Sequence, residues 1–283
     1  MSGERRSDSG SDAPASTLLV DAHVHLHPGF DLARFFRAAA DNFATAARGL
    51  GVDEPWRGVL ILTESAGTHR FAALRRGAGQ AATDGWKIEG TREATSVRLR
   101  ATGEGPPLSV VAGRQIQTEE GLEVLAFPLL DPVAEGSPVR DVLRAAADAG
   151  ATTVVPWGFG KWWGARGRIV RELLQEPPDH PFLLADTGHR PSWAGRPDAL
   201  ERWERLGRVT VTGSDPLPFP GEETRAGSCC FALSVPGGDE RPAAAVVEAL
   251  AACARSPRRY ESRPGLARFV ASQLGMQLRK RAR

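Results

Sequence analysis

The sequence predicts an α/β protein built around a mainly parallel sheet. Short runs of Val, Leu and Ile alternate along the chain with longer stretches of helical periodicity. Several of these runs end in an acidic residue or a histidine. The composition, 41% hydrophobic and 25% charged over 283 residues, is typical of a globular domain and excludes a disordered chain or a fibre. An open doubly wound sheet and a closed barrel both fit, and both gather chemistry at the carboxyl ends of their strands.

The first predicted strand covers residues 17–26, where Leu and Val alternate with Asp and His with a period of two. Pro28-Gly29 ends it. Residues 85–102 alternate on both sides of a polar turn, which predicts a hairpin inserted between core elements. The remaining elements are expected from alternation for strands and from helical periodicity for helices: strands at 58–64, 109–117, 122–129, 152–156, 182–186, 209–212 and 230–235, and helices at 32–48, 69–76, 139–149, 166–175, 197–206, 242–254 and 265–279.

The domain organisation is predicted to be simple, because no repeat or linker divides the chain. Residues 1–16 are rich in Ser, Gly, Asp and Arg and are expected to form a disordered tail, with a single domain at 17–283. The tail lacks an apolar core, so we do not expect it to act as a secretory signal. No run approaches 18 apolar residues, which argues against a membrane span. Three cysteines without a CxxC pair favour free thiols in a reducing compartment, and we expect a cytoplasmic protein.

The charge balance limits the class of partner. The chain has 36 basic and 34 acidic residues, a net charge of +2, which argues against a bulk polyanion such as nucleic acid. The basic clusters at 258–259 and 279–283 are typical of a solvated helix face. The expected partner is a small anionic substrate, and the sequence leaves the oligomeric state open.

Histidine is scarce and clustered. Three of the six histidines, His23, His25 and His27, fall within five residues. Residues two apart in a strand project to the same side, so the spacing predicts Asp21, His23 and His25 on one face at the end of the first strand. Two neighbouring imidazoles form a chelate for Zn, Mn or Fe. The alternative is a hydrogen-bonded, partly exposed pair without a metal, and His27 is expected at the mouth of the site.

Carboxylates at other strand ends are candidate ligands for the same ion. Glu64, Asp186 and Asp215 end later predicted strands, and Glu123 lies with Gln115 in the strand pair at 109–129. A divalent metal needs anionic oxygen ligands to balance its charge. For each carboxylate taken alone, a helix cap or a surface ion pair is the alternative.

Two loops supply further candidates. His69 and His189 follow predicted strands and are expected to complete a metal shell or to transfer a proton. Residues 157–168 combine four glycines and three tryptophans with Lys161 and Arg166 ahead of a helix, an arrangement that suits an anion. The alternatives there are a loop whose tryptophans only pack, or aromatic rings that stack on a planar ligand.

These motifs, in this order, resemble the PHP superfamily, named for polymerase and histidinol phosphatase. Residues 20–25, Val-Asp-Ala-His-Val-His, resemble its first motif. Residues 112–116 resemble its Gly-x-Glu motif, and Gly213-Ser214-Asp215 resembles its closing Gly-Ser-Asp-x-His. Gln115 stands where the family has Glu, Glu64 where it has Asp, and Glu123 where it has His. The resemblance, carried by short motifs over about residues 18–216, implies a distorted (β/α)7 TIM-like barrel with the inserted hairpin.

The function implied by the resemblance is hydrolysis of a small phosphoester by metal-activated water, with one or two divalent ions of Zn, Mn or Fe. In that interpretation Asp21 orients a ligand imidazole, and His69 or His189 transfers a proton. The implied metal ligands are His23, His25, Glu64, Glu123, Asp186 and Asp215. The groups expected to bind the substrate are Gln115, Lys161, Arg166 and Arg190. Two alternatives remain: a non-catalytic relative that binds or regulates, and a C–N hydrolase of the amidohydrolase superfamily, whose barrel also opens with H-x-H.

Overall fold

The computed structural model describes residues 16–79, 85–237 and 240–281, with side chains described to residue 277. Apart from Ser16, which begins the first strand, the predicted tail lies outside the described residues. The elements follow in chain order: β1 (Ser16–Val24), α1 (Leu32–Leu50), β2 (Trp56–Glu64), α2 (Arg70–Arg76), β3 (Trp86–Gly90), β4 (Ser96–Ala101), β5 (Leu108–Gln117), β6 (Glu123–Phe127), α3 (Val139–Asp148), β7 (Thr152–Pro156), α4 (Ala165–Gln175), β8 (Phe182–Thr187), α5 (Asp198–Arg205), β9 (Thr210–Gly213), a 3₁₀-helix (Glu222–Arg225), β10 (Cys229–Val235), α6 (Pro242–Ala251), β11 (Arg259–Glu261) and α7 (Leu266–Arg281).

The sheet curls into a nearly closed barrel. Its strands are hydrogen-bonded in the order β11-β10-β1-β2-β5-β6-β7-β8-β9, and the end of β9 returns to β1, where the Asp215 amide donates to the His23 carbonyl at 2.7 Å. The pairs β1–β2, β2–β5, β7–β8 and β8–β9 are parallel, whereas β6 is antiparallel to both of its neighbours. The predicted α/β class and distorted TIM-like barrel are therefore confirmed.

Side-chain alternation gives every barrel strand an inner face and an outer face. The inner face carries one apolar cluster, which includes Val20, Ile61, Leu125 and Val211 and is closed at the bottom by residues of α6. The outer face carries two other clusters, one beneath α1 and α2 and one beneath α3, α4 and α5. Whether a polar side chain at a strand end enters the barrel therefore depends on its parity with these apolar neighbours.

Helix α1 shows why the chain folds as it does on the outer face. The Asp31 carboxylate caps its N-terminus by accepting from the Arg34 amide at 2.8 Å, and Gly51 ends it in the left-handed region at φ 58°. Phe35, Phe36 and Phe43 are fully buried against the sheet, and each contributes about 1.5–3 kcal/mol of burial free energy.

The inserted hairpin is also confirmed. β3 and β4 pair antiparallel, and β4 continues onto β5, so the hairpin extends the barrel wall outward. Trp86 of β3 lies beneath α1, with its ring 6.0 Å from that of Phe36. Two elements were not among the predicted ones: the 3₁₀-helix, and the three-residue β11, which depends on pairing with β10 and has no apolar pattern of its own.

Within the described ranges, no helix combines the length and the apolar character that crossing a membrane requires.

The closure of the barrel depends on a glycine, and this gives a stability prediction. A Cβ atom at Gly213 would lie 2.4 Å from the backbone nitrogen of His23, so Gly213→Ala must push β9 away from β1. We expect a loss of about 3 kcal/mol in the free energy of unfolding, measured by urea denaturation. Gly90→Ala is the matched control, because a Cβ there meets nothing within 4 Å. Equal effects of the two substitutions would contradict the proposed steric constraint.

Candidate metal centre

Three predicted ligands converge at the carboxyl end of the barrel. One ligand atom from each of His23, His25 and Asp215 lies within 4.8 Å of the others. The two Nε2 atoms are 3.1 Å apart, and each lies 3.5 Å from Asp215 Oδ1. Within the described part of the chain, this is the one group of His, Cys, Asp and Glu side chains with such geometry.

Gln115 completes this group with an oxygen atom. Its Oε1 lies 2.9 Å from His23 Nε2 and 3.1 Å from His25 Nε2. Gln115 pairs with Leu125 across β5 and β6, and because paired residues share a face, it points into the barrel with Leu125. The site thus contains four convergent atoms, two nitrogens and two oxygens.

The spacing and protonation of these atoms suit a bound cation. Ligand atoms held about 2.1 Å from a zinc ion in a tetrahedron lie about 3.4 Å apart, close to the 3.1 and 3.5 Å separations seen here. Burial, reinforced by the neighbouring His23 ring, lowers the pKa of His25 to about 3, so the His25 ring is neutral and keeps a lone pair for a metal. His23, His25 and Asp215 can therefore hold a metal ion.

Asp215 is held ionised at the junction of β9 and β1. Burial alone would raise its pKa, but the two imidazoles of His23 and His189, with that of His25 and the ammonium of Lys161, lower it well below the usual range. Its backbone adopts a left-handed φ of 48°, which is uncommon for a residue with a side chain. This turn follows Gly213-Ser214 and brings the carboxylate over the end of β1.

A local irregularity in β1 turns His23 into the barrel. Leu18, Val20 and Ala22 belong to the inner cluster, whereas Leu19 and Val24 belong to an outer one. The parity therefore changes between residues 22 and 24, where the β1–β2 register also shifts. The expectation that Asp21 shares a face with His23 is wrong for this reason.

Asp21 instead links three segments. Its carboxylate accepts from the Ser214 amide at 2.8 Å, the Ser214 hydroxyl at 2.5 Å, the Gly227 amide at 2.8 Å and the His23 amide at 3.3 Å. Burial nevertheless raises its pKa to about 6. Asp21 does not contact the His23 ring, whose buried Nδ1 meets no hydrogen-bond partner among the described residues. Ser214 and Gly227 were not predicted as functional, although Gly213-Ser214-Asp215 was a recognisable motif.

Glu64 and Asp186 end their strands on the outer face. Glu64 has the parity of Leu60 and Leu62, which are outer residues, and its Oε1 accepts from the Arg70 and Phe71 amides at 2.5 and 3.0 Å. It therefore caps the start of α2. Glu64 was predicted as a metal ligand, but it does not belong to the group around His23.

Asp186 has the parity of Phe182 and Leu184, also outer residues. It accepts from Arg190 at 2.6 and 2.8 Å, and Arg190 is 3.1 Å from Glu261. Arg190 is 1% exposed. The structure therefore places the predicted ligand Asp186 and the predicted substrate-binding Arg190 in a buried ion-pair network that joins β8 to β11.

Glu123 lies on the inner face, because it has the parity of Leu125 and Phe127. β6 runs antiparallel to its neighbours, so its first residue lies at the end where β5 and β7 finish. Glu123 Oε2 lies 2.6 Å from Lys161 Nζ, and Arg166 contacts the nearby Gly121 carbonyl at 3.5 Å. The structure thus groups Glu123, Lys161 and Arg166 at the mouth of the barrel.

Of the other predicted histidines, His189 and His27 lie beside the group, whereas His69 does not. His189 Nε2 lies 2.5 Å from the Asp215 carbonyl oxygen, and burial lowers the pKa of this ring. His27 stacks on His25 with ring centroids 5.5 Å apart and contacts the Pro216 carbonyl, as expected for a residue at the mouth. His69 is exposed at the start of α2.

The aromatic part of the loop at 157–168 faces away from this group. Trp157 and Trp162 pack against the outer cluster beneath α4 and α5. Together with Trp163 and Trp203 they line a pocket of about 650 Å³ between these two helices. The cationic part, Lys161, turns the other way, toward Glu123.

The fold has a counterpart among solved structures. The chain is similar to PsfC from Pseudomonas syringae PB-5123, at a TM-score of 0.59 and 18% identity over 93% of this chain and 98% of that one. At this identity the similarity shows the fold alone. A lesion-specific endonuclease, PfuEndoQ from Pyrococcus furiosus, matches at a TM-score of 0.48 and 14% identity, covering 85% of this chain and 57% of that one. This weaker likeness says nothing further about the chain.

No protein-family model matches the chain, and no curated protein matches it. The nearly closed barrel is compatible with the resemblance to the PHP superfamily.

The ligand group predicts loss of bound metal on mutation. We expect His23→Ala/His25→Ala to abolish the metal retained after dialysis against Zn²⁺ or Mn²⁺, because two of the three ligands disappear. Metal content is measured by elemental mass spectrometry of the purified protein. His180→Ala is the control, since His180 lies at the surface 3.9 Å from Asp148. Unchanged metal in the double variant would exclude this site.

The outer position of Glu64 predicts a different phenotype. Glu64→Ala removes the acceptor for two amides at the start of α2, and we expect it to lower the free energy of unfolding by about 1 kcal/mol. Its metal content should equal that of the wild type. Reduced metal with unchanged stability would instead indicate that Glu64 is a ligand.

Proposed function

We propose that this protein is a metal-dependent hydrolase that acts on a small phosphoester. The observation that supports this most strongly is the convergence of His23 Nε2, His25 Nε2, Gln115 Oε1 and Asp215 Oδ1 at the catalytic end of the barrel. A divalent ion held by His23, His25 and Asp215 would supply a Lewis acid able to activate water and to polarise a phosphoryl oxygen. The reaction class also agrees with the resemblance to the PHP superfamily.

The charges around the group favour an anionic substrate. Lys161 and Arg166 lie on one side of the mouth, on the loop and helix that follow β7. Arg166 is half-buried and, among the residues that the structure describes, makes one long contact with a backbone carbonyl; its other N–H groups can therefore bind phosphoryl oxygens. Guanidinium groups bind such oxygens in pairs. Arg190, which is fully engaged with Asp186 and Glu261, has no place in this role.

His189 is better placed than His69 to move a proton. The partner of His189 Nε2 is a carbonyl oxygen, which only accepts, so Nε2 carries the proton and Nδ1 keeps a lone pair. In the proposed reaction, water attacks phosphorus, the bond to the ester oxygen breaks, and Nδ1 of His189 takes the proton from the attacking water. The alcohol leaves with a proton from solvent.

Two other functions are separate outcomes of the test. The substitution of Gln115 for an acidic ligand is the observation that favours a binding or regulatory protein without turnover. A C–N hydrolase of the amidohydrolase type would draw on histidines in the second half of the barrel. His180 lies at the surface, which leaves His189 for that role.

The proposal predicts metal-dependent turnover. Protein loaded with Zn²⁺, Mn²⁺ or Fe²⁺ is assayed against p-nitrophenyl phosphate, its bis-ester, and sugar and nucleoside monophosphates, and in parallel against a set of cyclic amides. We expect turnover that a chelator removes. Loss of Lewis-acid stabilisation worth several kcal/mol should lower kcat/KM about a thousand-fold in His23→Ala/His25→Ala, and His180→Ala is again the control. Bound metal with activity only on cyclic amides would favour the C–N hydrolase, and bound metal without any turnover would favour the binding protein.

A further inference from the structure

One inner carboxylate at this end of the barrel lies outside the candidate metal group and is neutralised by a lysine. Of the predicted carboxylate ligands, Glu64 and Asp186 lie on the outer face, where α2 and Arg190 engage them. Asp215 and Glu123 are the two that lie on the inner side. Asp215 belongs to the His23 and His25 group, whereas Glu123 contacts Lys161 at 2.6 Å.

Glu123 holds the ammonium of Lys161 in an ion pair. The Glu123 side chain is 16% exposed, so its charge needs a partner. Burial alone would lower the pKa of Lys161, but the carboxylates of Glu123 and Asp215 outweigh this and raise it above the usual value. The 2.6 Å ion pair therefore keeps a positive charge beside Glu123, on the inner side of the barrel.

The loop around Gly158 makes room for this lysine. The Lys161 amide donates to the Gly158 carbonyl at 2.9 Å, which folds the loop into a tight turn. A Cβ atom at residue 158 would lie 2.6 Å from Lys161 Cδ, so a side chain there would displace the aliphatic part of the lysine. Glycine at this position lets the Lys161 side chain lie along the loop and reach Glu123.

We propose that Lys161 takes the place of a second metal ion: the centre binds one divalent cation through His23, His25 and Asp215, and the ammonium held by Glu123 supplies the second positive charge. The inference rests on the metal-binding part of the proposed function. A second divalent ion beside Glu123 would meet the ammonium as a like charge at short range, which is unfavourable next to a carboxylate that is only 16% exposed. The Lys161 side chain remains 44% exposed, so it still faces a substrate at the mouth.

The proposal predicts how metal stoichiometry responds to substitution. Calorimetric titration of metal-free wild-type protein with Mn²⁺ should show one equivalent of bound metal per chain. Lys161→Ala leaves the Glu123 carboxylate without a cation, and we expect a second, weaker equivalent in this variant. Lys161→Ala/Glu123→Gln should return to one equivalent, as should Lys161→Arg. Lys87→Ala is the matched control, because Lys87 lies on the exposed hairpin next to Glu89.

A spectroscopic measurement distinguishes a second ion in the site from loose surface binding. Electron paramagnetic resonance of the Mn²⁺-loaded wild type should show isolated ions, whereas Lys161→Ala should show the broadening of two neighbouring ions. Gly158→Ala, which displaces the lysine without removing it, should give an intermediate second occupancy. Folding of each variant is checked by circular dichroism.

The outcomes separate the two proposals. Two equivalents in the wild type, or one equivalent without coupled signal in Lys161→Ala, overturn the role of Lys161 and leave the hydrolase proposal standing. One equivalent in the wild type and two coupled ions in Lys161→Ala support the role of Lys161, whatever the turnover assay finds. No bound metal in the wild type overturns the metal-dependent function itself.

Discussion

The buried carboxylate of Asp21 holds the barrel closed. Removing an ionised carboxylate from water costs several kcal/mol, and here the cost is offset by four hydrogen bonds from three segments of the chain: the end of β1, the exit of β9 and the loop before β10. Burial of Asp21 therefore requires these three segments to meet around its carboxylate. Because two of the donors belong to Ser214, the same interaction places the next residue, Asp215, above His23. The ligand group follows from a constraint that lies on the opposite side of the strand.

The face of each strand decides which polar side chains take part. Glu64, Asp186 and Asp215 all stand at carboxyl ends of strands, yet the first two share parity with outer apolar residues and serve α2 and Arg190. Gln115 and Glu123 share parity with Leu125 and face inward. The antiparallel direction of β6 explains how the first residue of a strand, Glu123, reaches an end that the other strands reach with their last residues.

Most of the architecture could be predicted from local pattern, because alternation and helical periodicity are local properties. The α/β class and the hairpin belong to this part, and the strand-end positions of His23, His25 and Asp215 suggested a shared site. The choice of a barrel over an open sheet depended on the resemblance of the motifs to the PHP superfamily. The outer orientation of Glu64 and Asp186 could not be predicted, since their strands are apolar on both faces and the sequence does not mark which is inner. The opposite orientations of Asp21 and His23 depend on a register shift within β1, which no run of residue types indicates. Likewise, the partner of Glu123 is a lysine 38 residues away, and only the fold brings them together.

The contact between Gly213 and the backbone of His23 has a consequence for metal selectivity. The hydrogen bond from the Asp215 amide to the His23 carbonyl, together with the close approach of Gly213 to the His23 backbone, fixes the distance between the backbones of His23 and Asp215. These two residues carry an imidazole and a carboxylate of the candidate metal group. Side-chain rotamers can adjust to an incoming ion, but this pair of backbones moves only as a unit. A metal ion bound by these residues would therefore meet two ligands whose backbones are fixed to each other, a constraint that favours ions whose radius fits that spacing.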